Sequence, residues 1–136
     1  MITSDKQVLV TKKRIDEFLE YLKLIEKDTR IIAKASKFQI EGLVQELREQ
    51  IYEYETLKTK GVEAIEISGP SDIMLLPIKY RIAKRMTQEL FAKKVDMPLR
   101  MICRYESENY RNITGGNLQK ILDKLHLKIF AKIKEA

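Results

Sequence analysis

Arg100 and Arg104 lie four residues apart, with Leu99 beside the first of them. On a helix that spacing puts both guanidinium groups on one face. An arginine fork can grip O6 and N7 of guanine in a bidentate way, and each such contact discriminates by about 1–3 kcal/mol. Leu99 suits a thymine methyl. Ile102 and Tyr105, three apart, with Met101 alongside, supply the inward face of the same helix. Two arginines on one face are also what an ordinary solvated helix carries, so their setting has to decide. Upstream, Gln88 opens another short helix, where its amide and the helix N-terminus suit a phosphate. A plain polar residue at a helix start would look the same. Lys93, Lys94, Tyr110, Arg111 and Asn112 are further phosphate candidates, each weak alone. Arg81 and Glu106 flank the stretch and are expected to form an ion pair that is at least partly buried.

These side chains need a scaffold. Met86–Glu106 reads as two short helices around a tight turn at Asp96-Met97-Pro98, because the residue before proline is biased out of the helical region. Thr87 caps the first of these helices, which spans roughly 88–94; the second runs from about Pro98 to Tyr105. Before them a helix starting near Ile73 or Pro77 buries Ile78 and Ile82. After them Thr114 or Gly115-Gly116 starts a helix that buries Leu118, Ile121, Leu122 and Leu125. Two short helices joined by such a turn, the second facing outward with arginines, have the layout of a DNA-reading motif.

The first half differs in pattern. Thr11 to about Lys27 is expected to be helical, with Thr11 as N-cap and a stripe of Ile15, Phe18, Leu19, Leu22 and Ile25. A second helix runs from about Ile31 or Ser36 to Lys60, and Gly61 stops it. These two make an antiparallel hairpin, which buries one side of each helix and so invites a second copy. The stripes could instead pack on the chain's own second half. Phe18, Leu22, Leu43, Leu47, Ile51 and Tyr54 are the residues expected at a dimer interface. Val62–Ser68 alternates as an exposed strand would, and Leu127–Ile133 leans the same way. Gly69-Pro70-Ser71 breaks regularity, so the expected division is 1–66 for the hairpin and 67–136 for the second domain.

Charge follows the same division. Residues 1–66 hold 12 Lys/Arg and 13 Asp/Glu, whereas residues 67–136 hold 14 and 7. A near-neutral first half and a basic second half suit assembly and polyanion contact respectively. The single cysteine, Cys103, excludes an internal disulfide, and with one histidine, His126, a structural zinc site is not expected. No metal or cofactor is expected. The chain has no apolar run of membrane-spanning length and no signal-like segment after Met1, so the expected setting is cytoplasmic. It has no phosphate-binding glycine loop and no paired catalytic carboxylates, so no enzymatic role is expected.

Residues 73–127 resemble the lambda-repressor/Cro-type helix-turn-helix superfamily, the XRE family. The resemblance rests on Arg81, Thr87-Gln88, Phe91-Ala92, Val95, Ile102 and Arg104-Tyr105-Glu106 at that family's spacing. It implies that Thr87 caps, Gln88 grips phosphate, Leu99, Arg100 and Arg104 face bases, and Arg81 pairs with Glu106. The segment before it is similar to a subgroup that carries a helical hairpin ahead of the DNA-binding domain. Two positions depart from the family. Asp96 stands where glycine is usual in the turn, and aspartate tolerates the left-handed conformation. Pro98 stands where Ser or Thr often caps the third helix; proline suits a first turn but has no hydroxyl.

The expected fold is therefore all-α apart from any short strand: an N-terminal antiparallel helical hairpin, then a four-to-five-helix lambda-repressor-like domain. The expected role is a sequence-specific regulator of transcription, a repressor bound to double-stranded DNA at an inverted repeat as a homodimer. The alternative is an antitoxin whose hairpin neutralises a toxin-like protein partner and which represses its own operon. A third reading is an assembly protein whose helix-turn-helix has lost DNA binding.

Overall fold

The computed structural model describes all 136 residues and contains only helices and connecting segments. They are α1 (Asp5–Leu24), α2 (Ile31–Lys60), a 3-10 turn (Gly61–Ala64), α3 (Pro70–Ala83), α4 (Gln88–Val95), α5 (Leu99–Ser107) and α6 (Gly115–Lys124). The chain divides into two compact units, Met1–Thr59 and Lys60–Ala136. The division falls before the expected 66/67 boundary because the 3-10 turn packs on α3. No helix is long and apolar enough to cross a membrane.

The first unit is the antiparallel hairpin. Its open end is tied by Asp5, whose carboxylate accepts from the Tyr54 hydroxyl at 2.8 Å and from Lys58 Nζ at 2.7 Å. Its closed end is tied by Lys37, which donates to the carbonyls of Glu26 and Asp28. Arg30 clamps the Asp28 carboxylate in the connection and holds that carboxyl at about 2, below its ordinary value. Val8, Thr11 and Ile15 of α1 and Ala33, Val44, Ile51, Tyr54 and Leu57 of α2 are buried.

Two expectations for this unit change. Thr11 is not the N-cap of α1. Ser4 is, accepting from the Gln7 N–H, and Thr11 sits buried in mid-helix, donating its hydroxyl to the Gln7 carbonyl at 2.7 Å. A threonine that back-bonds to residue i−4 is compatible with a helix interior, so Thr11 alone did not mark the start. The six expected dimer residues also do not form a free face. Ile51 and Tyr54 are buried within the chain, Phe18, Leu22 and Leu47 are half-buried, and only Leu43 is exposed.

The second unit surrounds Ile78, Phe91, Ile102, Tyr110 and Ile121, all essentially inaccessible. α3 begins earlier than the sequence pattern places it, with Gly69 at its N-cap, Pro70 in its first turn, and Asp72 accepting from the Ser68 N–H at 2.8 Å. Proline has no N–H to waste at that position and its fixed φ suits the helix. Pro77 lies within α3 and is buried.

One device recurs at helix ends. Arg85, Asp96, Asn109 and His126 all have left-handed backbones, with φ between 53° and 57°. After each, an N–H closes back five residues: Met86 to Arg81, Met97 to Ala92, Tyr110 to Tyr105 and Leu127 to Leu122. This is the hydrogen bond of a Schellman stop. It gives His126 a structural place as the end of α6. Neither expected strand forms. Residues 62–68 are a 3-10 turn and an extended link without a partner strand, and residues 127–136 lie beyond α6 without regular structure, Phe130 and Ile133 exposed. Alternation alone cannot make a strand when no second edge is present to pair with it.

Candidate nucleic-acid interface

α4 and α5 form the pair around the turn. Thr87 caps α4, its hydroxyl accepting from the Leu90 N–H at 3.2 Å. Phe91, Ala92 and Val95 bury the inner face of α4. Asp96 then takes φ 54° and ψ 49°, the left-handed conformation that the turn requires. Pro98, with φ −58° and ψ 140°, is the N-cap of α5, and no side chain caps that helix. Asp96 therefore ends α4, and α5 starts without a side-chain cap.

α5 is sharply two-sided. Ile102, Tyr105 and Glu106 are buried. Arg100 and Arg104 are exposed on the other side, and Leu99, three residues before Ile102 at the edge of the inward face, is 39% exposed in the first turn. Arg100 makes no ion pair within the protein. The guanidinium carbon of Arg104 lies 5.6 Å from the centroid of the Tyr105 ring, a cation–π distance. A groove of about 500 Å³ runs from Lys93 of α4 past Asp96, Met97 and Pro98 to Leu99.

Behind this surface lies a buried polar chain. Arg81 Nε and Nη2 each donate to Glu106 at 2.7 Å, and Arg81 Nη1 donates to the Met86 carbonyl at 3.0 Å. The two side chains are 7% and 4% exposed. Gln88 Nε2 donates to the same Glu106 at 3.2 Å, and the Cys103 thiol donates to Gln88 Oε1 at 3.3 Å. The chain thus links α3, the start of α4, and the middle and C-terminal end of α5. Nothing in the sequence marks Cys103 as part of it. Only the packing of α5 against α4, which brings Cys103 beside Gln88, reveals that role.

The phosphate candidates separate into groups. Lys93, Lys94, Arg111 and Asn112 are exposed, Asn112 with its amide on Glu108 at 3.0 Å. Gln88 is half-buried, and its amide serves Glu106 and Cys103. Tyr110 is a correction: it is fully buried and cannot reach a phosphate. Its ring stacks on Tyr105, centroids 5.3 Å apart, and its hydroxyl has no partner within the protein. Burial, reinforced by the Glu106 carboxylate nearby, pushes the phenol well above its ordinary value. The left-handed turn after α5 carries Tyr110 inward, which its neighbours Asn109 and Arg111 did not signal.

Residues 78–130 match a family model described as Helix-turn-helix. The second unit carries a lambda-repressor/Cro-type helix-turn-helix domain. The chain is accordingly a DNA-binding regulator of transcription, and α5 occupies the place of the reading helix in the motif. A search of curated proteins and a search of solved structures each returned no match.

Proposed function

We propose that the protein is a repressor that binds an inverted-repeat operator as a homodimer. Leu99, Arg100 and Arg104 face the bases. Lys93, Lys94, Arg111 and Asn112 approach phosphates, and Gln88 contributes the backbone N–H at the first turn of α4. The observation that carries the reading is the exposed face of α5. An unpaired arginine and an arginine beside an aromatic ring share one side of a short helix whose other side is locked in the core, and a leucine is exposed in its first turn. A helix so held presents its forks in a fixed orientation, which base reading requires. Two copies related by a two-fold axis would set their reading helices ~34 Å apart, or a multiple of that, along the duplex.

The test is selection of duplexes from a random library at near-physiological salt, with an Arg100→Ala/Arg104→Ala variant alongside. Enrichment of an inverted repeat that the variant fails to hold is the expected result. Equal, weak and sequence-blind binding by both proteins overturns the reading and favours a role for the hairpin on a protein partner.

A further inference from the structure

The outer side of α2 carries a stripe that nothing in the chain covers. Ile31, Phe38 and Tyr52 are 86%, 79% and 69% exposed. Gln45 lies between the last two, and the four positions are seven residues apart. Ala35, Gly42 and Glu49 interleave with them, all exposed. Together they repeat at alternating steps of four and three, the seam of a coiled coil. The buried positions Ala33, Val44, Ile51 and Tyr54 point the other way, toward α1. Large side chains alternate with Ala35 and Gly42, which leave room for a knob from a facing helix; no atom lies within 4 Å of a Cβ placed on Gly42.

The flanking charges identify the occupant. Lys34, Glu41, Arg48 and Glu55 also stand seven apart, in a row beside the seam. Read backwards, this row is the electrostatic complement of itself. A second α2 running antiparallel about an axis near Val44 sets Lys34 against Glu55 and Glu41 against Arg48, twice each. A parallel partner would instead bring Glu41 toward Glu46, since flanking rows cross-pair in that arrangement. Lys34, Glu41 and Arg48 make no ion pair within the chain, and Glu55 only a loose one with Lys12 at 3.7 Å. The larger pattern agrees. From Thr29 to Ile40 the charges are Arg30, Lys34 and Lys37, without a carboxylate; from Glu41 to Glu55 they are glutamates and Arg48. Positive charge early in a helix opposes its dipole. An antiparallel copy offsets that cost with the glutamates of its later half.

We infer that α2 is the dimer seam: two copies of this chain pair antiparallel along Ile31, Ala35, Phe38, Gly42, Gln45, Glu49 and Tyr52. The inference rests on the dimer invoked for the inverted repeat, and it replaces the face that α1 already occupies. The seam from Ile31 to Tyr52 is roughly 32 Å long.

The test is sedimentation of the full chain at low salt, where flanking charges are least screened. Wild type is expected to sediment as a dimer, and Phe38→Glu as a 16.0 kDa monomer with unchanged helical circular dichroism. Glu41→Arg is expected to raise the dimer Kd about tenfold or more, since it meets Arg48 at two equivalent places. Glu41→Arg/Arg48→Glu is expected to restore the wild-type Kd. A dimer that Phe38→Glu leaves intact overturns the seam while the dimeric operator reading stands. Tightening by Glu41→Arg alone overturns the antiparallel arrangement. A monomeric wild type overturns both the seam and the two-half-site reading.

Discussion

Arg81→Ala is expected to cost the helix-turn-helix unit about 3–5 kcal/mol, the range for removing one member of a buried ion pair. The reasoning lies in what the truncation leaves behind. Glu106 is 4% exposed and receives two hydrogen bonds of 2.7 Å from Arg81. Without them its carboxylate keeps only the Gln88 amide at 3.2 Å. The Met86 carbonyl loses its donor as well. Glu106 also bonds through Gln88 to Cys103, so the damage reaches the start of α4 and the middle of α5. For a unit of this size a loss of 3 kcal/mol lowers Tm by at least about 12 °C. The assay is thermal and urea unfolding of the full chain, followed by far-ultraviolet circular dichroism and by the near-ultraviolet tyrosine signal. The second probe matters because the chain has two units and need not unfold in one step. The companion variant Arg81→Met/Glu106→Leu removes both charges and keeps apolar volume. It is expected to recover most of the loss, because the single substitution is harmful through the stranded charge rather than through the missing attraction. A cost below about 1 kcal/mol for Arg81→Ala would refute the reasoning, since that is the worth of a solvated surface pair. So would a double variant less stable than Arg81→Ala.

Other expectations follow from single features of the structure. Tyr110→Phe removes a buried hydroxyl without a protein partner and is expected to hold or raise stability, by up to about 1 kcal/mol in urea unfolding, where a loss above that amount would reveal a bond the fold depends on. The raised pKa of Tyr110 makes its contribution complete below the unfolded tyrosine value near 10 and progressively lost as pH rises above it, so one phenol should resist ionisation at 295 nm until alkaline unfolding releases it. Arg100→Ala and Arg104→Ala should each cost about 1–3 kcal/mol on a selected site and relax preference at one base pair, measured by competition with point-changed duplexes. Lys93→Ala or Lys94→Ala should instead weaken all duplexes alike and reduce the slope of log K against log salt by about 0.9. Asp96→Gly should stabilise the domain by up to about 1 kcal/mol, because glycine adopts φ 54° without the Cβ penalty; a destabilised variant would mean that the carboxylate has a role beyond the turn.

Much of the second unit was legible in the chain itself, for a physical reason. Thr87, Phe91, Ala92, Val95, Asp96 and Ile102 act locally: a cap, three inward positions, a tolerated left-handed turn and a core anchor, all within a few helical turns. The exposed side of α5 followed from the spacing of Arg100 and Arg104 against Ile102 and Tyr105, since a helix of known period has only one opposite face. The all-helical class and the antiparallel hairpin followed likewise from apolar period and a polar break.

Tertiary structure decided whatever depended on which surfaces meet. Tyr110 looked like a polar loop residue, but the closure after α5 turns it onto Tyr105 in the core. Gln88 looked like a phosphate ligand, but Glu106 and Cys103, distant in the chain, claim its amide. Val62–Ser68 and Leu127–Ile133 alternate like strands, but a strand exists only through a neighbour, and the fold offers neither of them one. Ile51 and Tyr54 belonged to an apolar stripe whose partner was undetermined until α1 was seen to bury them. A helical period marks which residues share a face; only the packed chain shows which faces are already taken, and in α2 it is the face left open that carries Ile31, Phe38 and Tyr52.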